Sequence, residues 1–177
     1  MQSAEENVVI YANPERCLSC HSCEVACAVA HADKEDLIIA VSDGLQLYPR
    51  NHVVMADGVT MPIQCRQCED APCTFACPTG ACTRADGRVR IVERDCIGCG
   101  QCVIMCPFGA IAVHGVAKKC DLCVDWRARN GKAESACAEA CPTNAIRFVN
   151  LKAYRQAQLE ARARELAQSH RHMRIPL

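Results

Sequence analysis

Apolar positions in this chain come in short runs separated by turn-forming residues, and the runs have strand length. VVIYA (8–12), HVVMA (52–56), VTMPI (59–63), RVRIV (88–92), IAV (111–113) and IRFV (146–149) are rich in β-branched residues and predict short strands. Asp57-Gly58 predicts a two-residue hairpin turn between HVVMA and VTMPI, and ADGR (85–88) predicts a second hairpin. Val25 to Ala30 and Leu37 to Val41 are short enough for either strand or helix. Residues 124 to 136 read as a polar loop that carries the only tryptophan, Trp126, expected to pack locally or to meet a partner.

From Leu151 the pattern changes. LKAYRQAQLEARARELAQSH is free of Gly and Pro and rich in good helix formers, so it predicts a helix. Leu159, Leu166 and Met173 fall seven apart, with Ala163 and His170 between them, giving a narrow apolar stripe. Such a helix either packs on its own domain or serves as a docking arm for another subunit. No window approaches about 18 consecutive apolar residues, so no membrane span is expected. The first residues lack both a basic cluster and an apolar stretch of signal-peptide length, so a cytoplasmic setting is expected.

Composition makes the core thin. Only 37 of 177 residues are Leu, Ile, Val or Phe, barely enough to offset the entropy of folding. Something besides aliphatic packing must hold the chain together. Basic and acidic residues balance at 20 each, which argues against nucleic-acid binding. Cysteine, at 17 residues, decides the reading. In a reducing compartment a disulfide framework loses to metal ligation, and an odd count leaves one thiol over.

Sixteen of the cysteines form four quartets: Cys17, Cys20, Cys23, Cys27; Cys65, Cys68, Cys73, Cys77; Cys96, Cys99, Cys102, Cys106; and Cys120, Cys123, Cys137, Cys141. The first and third have the spacing C-x2-C-x2-C-x3-C of bacterial ferredoxins, in which three thiolates cap one iron-sulfur cubane and the fourth reaches a neighbouring cluster. A structural zinc protein would also use C-x2-C knuckles, but it pairs separated knuckles instead of triplets followed by Cys-Pro. A redox dithiol would need only one C-x-x-C. His21, His31, His52 and His114 are expected at the surface or beside clusters, because the cysteines already supply every ligand.

CPTGAC from Cys77, CPFGAI from Cys106 and CPTNAI from Cys141 align without gaps. Cys82 occupies the slot of Ile111 and Ile146, so it is expected to be a small buried apolar residue and not a ligand. Residues 60–113 read as a complete two-cluster ferredoxin unit, in which Thr60–Gln64 should pair with Ala110–Val113. The outer quartets, taken in the order fourth then first, make a second unit (8–30 and 114–150) into which the first is inserted, with an added hairpin region at 31–59 and a helical docking tail at 151–177. Sequential pairing of the first and second quartets is the alternative, but it needs a long linker between Cys27 and Cys65. The fold class is thus α+β: two bacterial-type 2[4Fe-4S] ferredoxin units, one inserted in the other, plus a C-terminal helix.

The quartets, their order and the stretches CHSCEVACAVAH, QCRQCEDAPCTFACPTGA and CIGCGQCVIMCPFGAI resemble the four-cluster ferredoxin-like electron-transfer subunits of molybdopterin oxidoreductases, formate hydrogenlyases and carbon monoxide dehydrogenase systems. The chain looks most similar to the iron-sulfur subunit coupling carbon monoxide dehydrogenase to a hydrogenase. The resemblance covers residues 8 to 149 and implies a crossed ligand map for four [4Fe-4S] clusters. Cys17, Cys20, Cys23 and Cys141 would hold one, and Cys27, Cys120, Cys123 and Cys137 its partner; Cys65, Cys68, Cys73 and Cys106 would hold a third, and Cys77, Cys96, Cys99 and Cys102 the fourth. One departure is that Ala28, not Pro, follows Cys27.

No nucleotide-binding loop, nucleophile-base pair or paired acid-base site appears, so the chain is expected to carry electrons and not to turn over a substrate. The resemblance implies carbon monoxide dehydrogenase and a membrane-associated hydrogenase as partners, at the inner face of the membrane. The alternative partner is the catalytic subunit of a formate dehydrogenase or another molybdopterin oxidoreductase, and a soluble general ferredoxin is a further possibility.

Overall fold

The computed structural model describes residues 8–172, with the side chains of 170–172 left aside. Its strands are β1 (Val8–Ala12), β2 (Asn51–Ala56), β3 (Val59–Gln64), β4 (Cys82–Ala85), β5 (Arg88–Ile91), β6 (Ile111–His114), β7 (Val116–Lys119) and β8 (Ile146–Asn150). Its α-helices are α1 (Ser22–Ala30), α2 (Leu37–Ser42), α3 (Pro72–Phe75), α4 (Gln101–Met105), α5 (Val124–Asn130), α6 (Ala136–Glu139) and α7 (Leu151–His172). The strands form four antiparallel ribbons of two strands each: β1-β8, β2-β3, β4-β5 and β6-β7. Each ribbon joins the last cysteine of one quartet to the first of the next. The β1-β8 ribbon closes this cycle across the two ends of the chain, with Val8 opposite Asn150 and Ala12 opposite Ile146.

Two hairpins follow the turn chemistry. Asp57 and Gly58 both have positive φ (49° and 78°), as the tight turn of β2-β3 requires, and Asp86-Gly87 repeats this in β4-β5 (51° and 74°). The expected pairing of Thr60–Gln64 with Ala110–Val113 does not occur. Thr60 faces Met55 within β2-β3, and Ile111 faces Lys119 within β6-β7. Local hairpins win because a short turn closes each ribbon at little entropic cost, and Gly115 (φ 74°) lets β6 reverse directly into β7. The hairpin therefore runs through residues 51–64, and the unit boundary expected at 59/60 falls inside it.

Residues 124 to 136 are not a loop. They contain α5, ended by Gly131 in the left-handed region (φ 62°), and the start of α6. Trp126 packs on Ala30, Cys123 and Ala136, so its local role stands. Arg127 lies over the Phe148 ring, 4.3 Å from its centroid. Leu37–Val41 is helical, begun by Asp36, whose carboxylate accepts from the Ile39 backbone N–H at 3.0 Å.

Among the described aliphatic side chains larger than alanine, those buried are Ile10, Pro62, Val89, Ile111, Leu122 and Ile146. The remaining buried apolar residues are alanines and cysteines, among them Cys23, Cys27, Cys73, Cys82, Cys102, Cys120, Cys123 and Cys137. The thin core read from the sequence is real, and thiols fill the space that aliphatic side chains normally occupy.

Helix α7 leaves this core entirely. All its side chains from 151 to 169 are exposed. Asn150 caps it by accepting from the Ala153 N–H at 3.0 Å, and side-chain pairs such as Arg162–Glu165 and Arg164–Glu160 support it along its length. Met173 of the expected stripe lies outside the described residues.

Candidate metal centres

The cysteines of each quartet sit where a strand gives way to a short loop and then to a helical turn. In every quartet the third residue of C-x-x-C takes a positive φ: Ser19 (55°), Gln67 (53°), Gly98 (67°) and Leu122 (64°). That left-handed residue turns the backbone so that both thiols of the pair face the same side. At Gly98 a side chain is impossible for a second reason, since an added Cβ would lie 2.3 Å from the Gly115 carbonyl oxygen in the β6-β7 turn.

The thiols do not gather by sequence quartet. One cavity is lined by Cys17, Cys20, Cys23 and Cys141, and another by Cys77, Cys96, Cys99 and Cys102, with Cys82 also on its wall. Cys27 feels the charges of Cys137 and Cys123, and Cys120 those of Cys137 and Cys27. Cys68 feels Cys65, Cys73 and Cys106. The thiols thus gather across quartets: Cys141 joins Cys17, Cys20 and Cys23, Cys77 joins Cys96, Cys99 and Cys102, Cys27 lies near Cys123 and Cys137, and Cys106 lies near Cys68, groupings that could hold metal clusters. Cys20 and Cys99 are exposed, whereas Cys27, Cys120, Cys123 and Cys137 are buried.

Burial raises the Cys23 thiol to about 11 and the Cys123 thiol to about 12, and pushes Cys27, Cys120 and Cys137 up as well. Thiols buried against one another resist ionisation unless a metal takes up their charge. The chemistry of the donor set thus fits iron-sulfur clusters. N–H donors already point at the sulfurs: Arg50 N to Cys27 Sγ at 3.2 Å, Cys82 N to Cys77 Sγ at 3.3 Å, Ala117 N to Cys96 Sγ at 3.4 Å and Ala145 N to Cys141 Sγ at 3.2 Å. Burial would raise Cys77 and Cys141, but such backbone N–H groups and the hydroxyls of Thr79 and Thr143 outweigh it, so both thiols are lowered. Hydrogen bonds of this kind tune cluster potentials.

Cys82 is 3% exposed and opens β4 as Ile111 opens β6 and Ile146 opens β8, so the register read from the repeat holds. Its thiol also hydrogen-bonds to Cys73. That bond outweighs burial and, with the nearby Lys119 charge, lowers Cys73 to about 6, while Cys82 itself is raised.

Of the histidines, His21 meets Glu24 at 2.6 Å and His114 stacks on Tyr48 at 3.8 Å between ring centroids. His31 Nδ1 donates to the Cys27 carbonyl at 2.7 Å and lies 3.7 Å from Cys27 Sγ. Sequence reasoning missed Asp121, Gln67, Lys119 and the pair Asn51 and Gln64. Asn51 and Gln64 face each other across β2-β3, are 2% and 1% exposed, and keep unsatisfied side-chain atoms among the described residues. The available signal was a polar residue closing an apolar strand immediately before a cysteine, as in Gln64-Cys65.

Cysteine quartets linked by short two-stranded ribbons, with thiols of different quartets lining common cavities, are the pattern of a ferredoxin-type iron-sulfur protein. Residues 56–151 match the 4Fe-4S dicluster domain family. The chain is 64% identical over 188 residues to an iron-sulfur protein of Rhodospirillum rubrum, covering 99% of both chains. It is 35% identical to the electron transport protein HydN of Escherichia coli (strain K12), covering 89% of this chain and 97% of that one, and 32% identical to formate hydrogenlyase subunit 2 of the same strain, covering 81% and 82%. The chain belongs to the 4Fe-4S dicluster family of ferredoxin-type iron-sulfur electron-transfer proteins. No helix among the described residues is long and apolar enough to cross a membrane.

Proposed function

We propose that the sixteen quartet cysteines hold four [4Fe-4S] clusters and that the chain relays electrons from carbon monoxide dehydrogenase to a membrane-associated hydrogenase. The observation that carries a relay between two partners is the presence of two exposed ligand groups. In this reading Cys20 and Cys99 belong to different crossed fours, and two residues before each is an aliphatic side chain held out to solvent, Leu18 and Ile97, both 68% exposed. One port would serve a carrier that meets donor and acceptor in turn; two ports suit a subunit that meets both at once.

In this reading residues 8–30 and 114–150 form the outer two-cluster unit, residues 60–113 the inner one, and α7 is a docking arm. The closed β1-β8 ribbon and the crossed thiol cavities support that division. Each bound cluster supplies a one-electron site. The chain's own part is to exclude water around the buried thiols and to hold sulfur atoms against backbone N–H donors that set their potentials. Sixteen thiolates against four cores of charge 2+ take the neutral chain to roughly −8, which suits partner surfaces rich in Lys and Arg. The hydrogenase would place the chain at the cytoplasmic face of a membrane. A formate dehydrogenase catalytic subunit is the alternative donor, favoured by the likeness to formate hydrogenlyase subunit 2.

Iron and acid-labile sulfide in anaerobically purified protein test the clusters: about four of each per cluster are expected, and stoichiometric zinc without iron would overturn the reading. Mixing oxidised protein with carbon monoxide dehydrogenase tests the donor, with rapid CO-dependent reduction at near-stoichiometric amounts as the expected result. Faster reduction by formate dehydrogenase would reassign it.

A further inference from the structure

Two quartets are entered directly from a strand, and in both the residue before the first cysteine is polar and buried. Gln64 closes β3 and its Nε2 donates to the Ile10 carbonyl of β1 at 3.0 Å; Lys119 closes β7 and its Nζ donates to the Val89 carbonyl of β5 at 2.5 Å. β3 lies beside β1 as β7 lies beside β5, so the two residues hold corresponding places in the two halves. They are 1% and 3% exposed. One is a neutral amide, and the other is an ammonium.

Lys119 has no ordinary counter-ion. Besides Val89 O, its Nζ donates to the Cys120 carbonyl at 3.0 Å and to Cys65 Sγ at 3.5 Å, and among the described residues no carboxylate pairs with it. The other buried-side cation, Arg50, is neutralised: its guanidinium meets Asp121 at 2.6 Å and Glu93 at 3.6 Å. An unpaired ammonium inside a protein is strongly disfavoured. The balancing charge must come from the Cys65 thiolate and what it binds. Gln67 fixes the same spot, since its Nε2 donates to the Cys120 carbonyl and its Oε1 accepts from the Val89 N–H, each at 2.9 Å. The ammonium is therefore held in place by two strands and by backbone that a second side chain also grips.

We propose that Lys119 is a positioning residue that makes one rung of the relay an electron-holding site: its ammonium, seated on Cys65, raises the reduction potential of the cluster on Cys65, Cys68, Cys73 and Cys106 above that of the cluster on Cys77, Cys96, Cys99 and Cys102. The inference rests on the four-cluster reading. Reduction adds one electron to a cluster without breaking a bond, and a fixed positive charge against a ligand sulfur stabilises the added negative charge. The neutral Gln64 gives the opposite half no such bias.

The test uses the iron-loaded full chain with Lys119→Gln, which installs the residue of the corresponding position. Iron and sulfide of the wild type are measured first; a wild type without four clusters overturns the reading and this inference together. In loaded protein, redox titration followed by electron paramagnetic resonance gives each potential, and Cys65→Ser marks the signal of the cluster concerned. The expected result is a fall of that potential alone, by at least tenfold in the one-electron equilibrium, about 59 mV, with wild-type behaviour in Lys119→Arg. Equal shifts in all clusters, or none, would overturn the proposal while leaving the four-cluster reading intact. If Lys119→Gln fails to load iron, Lys119→Arg decides: loading with wild-type potentials supports the charge, and failure of both variants assigns Lys119 to packing and overturns it.

Discussion

His31 Nε2 lies 2.9 Å from Asp121 Oδ1, joining the end of α1 to the loop after β7 across 90 residues of sequence. Both ring nitrogens of His31 face oxygens that only accept, one on Asp121 and one on the Cys27 carbonyl. Asp121 also accepts from the Arg50 guanidinium at 2.6 Å and from the Cys123 N–H at 2.9 Å. One carboxylate thus ties together the segments that carry Cys27, Cys120 and Cys123.

Burial alone would raise the Asp121 carboxyl, but the His31 hydrogen bond and charge and the Arg50 guanidinium outweigh it and hold the group well below the usual carboxylate range. Asp121→Ala should destabilise the loaded protein by about 2 to 3 kcal/mol, the worth of hydrogen bonds to a charged group in a partly exposed site. A depressed folded-state value means that the stabilisation is fully present above the ordinary aspartate value of about 4 and drains only as pH falls below it. Thermal unfolding should therefore show the gap between wild type and variant in full at about pH 5 to 6 and narrowing as pH falls below about 4. A gap already closed at about pH 5 would contradict the assignment.

The Gly98 turn gives a sharper geometric prediction. With only 2.3 Å between an added Cβ and the Gly115 carbonyl oxygen, Gly98→Ala must move either the Cys96–Cys99 loop or the β6-β7 turn. The backbone strain alone costs about 1 to 3 kcal/mol. Iron content should fall toward three clusters' worth, whereas Ser19→Gly, at the matching position of the first quartet, should load fully. Full iron content and unchanged melting in Gly98→Ala would refute the packing argument.

The sequence was most legible where spacing and local turn chemistry coincide. The four quartets, the Asp57-Gly58 and ADGR turns, and the burial of Cys82 in the Ile111 and Ile146 register all follow from patterns within a few residues. The failures were at longer range. Thr60–Gln64 and Ala110–Val113 look like partners by analogy with a single ferredoxin unit, but VAKK after Gly115 is a strand too polar to be read as one, and it takes Ile111–His114 for itself. Lys119 ends that strand with a buried charge, a residue type that hydrophobic patterning assigns to solvent. Residues 124–136 looked like a loop because α5 has no fully buried residue and meets the body through the partly buried Val124 and Trp126 and through Arg127.

Cys82 supports a prediction that separates packing from ligation. Cys82→Ala should keep all four clusters and cost about 1 kcal/mol through lost packing. Because the Cys82 thiol also hydrogen-bonds to Cys73, the variant removes a donor from a proposed ligand sulfur, and the potential of that cluster should fall while its iron stays. Iron analysis and redox titration of the same sample read both effects. Loss of one cluster's worth of iron would instead make Cys82 a ligand.

The cysteine-filled core predicts how the protein unfolds. With Ile10, Pro62, Val89, Ile111, Leu122 and Ile146 as its larger buried aliphatic residues, the iron-free chain retains little to hold the ribbons together. Removal of iron by chelator and oxidant should abolish native circular dichroism and hydrogen-exchange protection of β1-β8 and β6-β7 together. Their retention would show that the thiols pack well enough alone.

Helix α7 bears on the partner. A helix of 22 residues is long enough to persist in water; Tyr154 at its start borders a cavity with Val9 and Tyr11, but Leu159 and Leu166 further along are exposed. An apolar stripe kept in solvent is accounted for if another subunit covers it in the working complex. Truncation after Asn150 should leave iron content, melting and potentials close to wild type, because no side chain from 151 to 169 is buried in the isolated chain. The same truncation should weaken binding to the electron donor or acceptor by tenfold or more, about 1.4 kcal/mol, when affinity is measured with each partner separately. Equal loss with both partners would point to an effect on the body of the protein; loss with only one assigns the helix to that interface, and unchanged affinity for both would remove α7 from the docking surface.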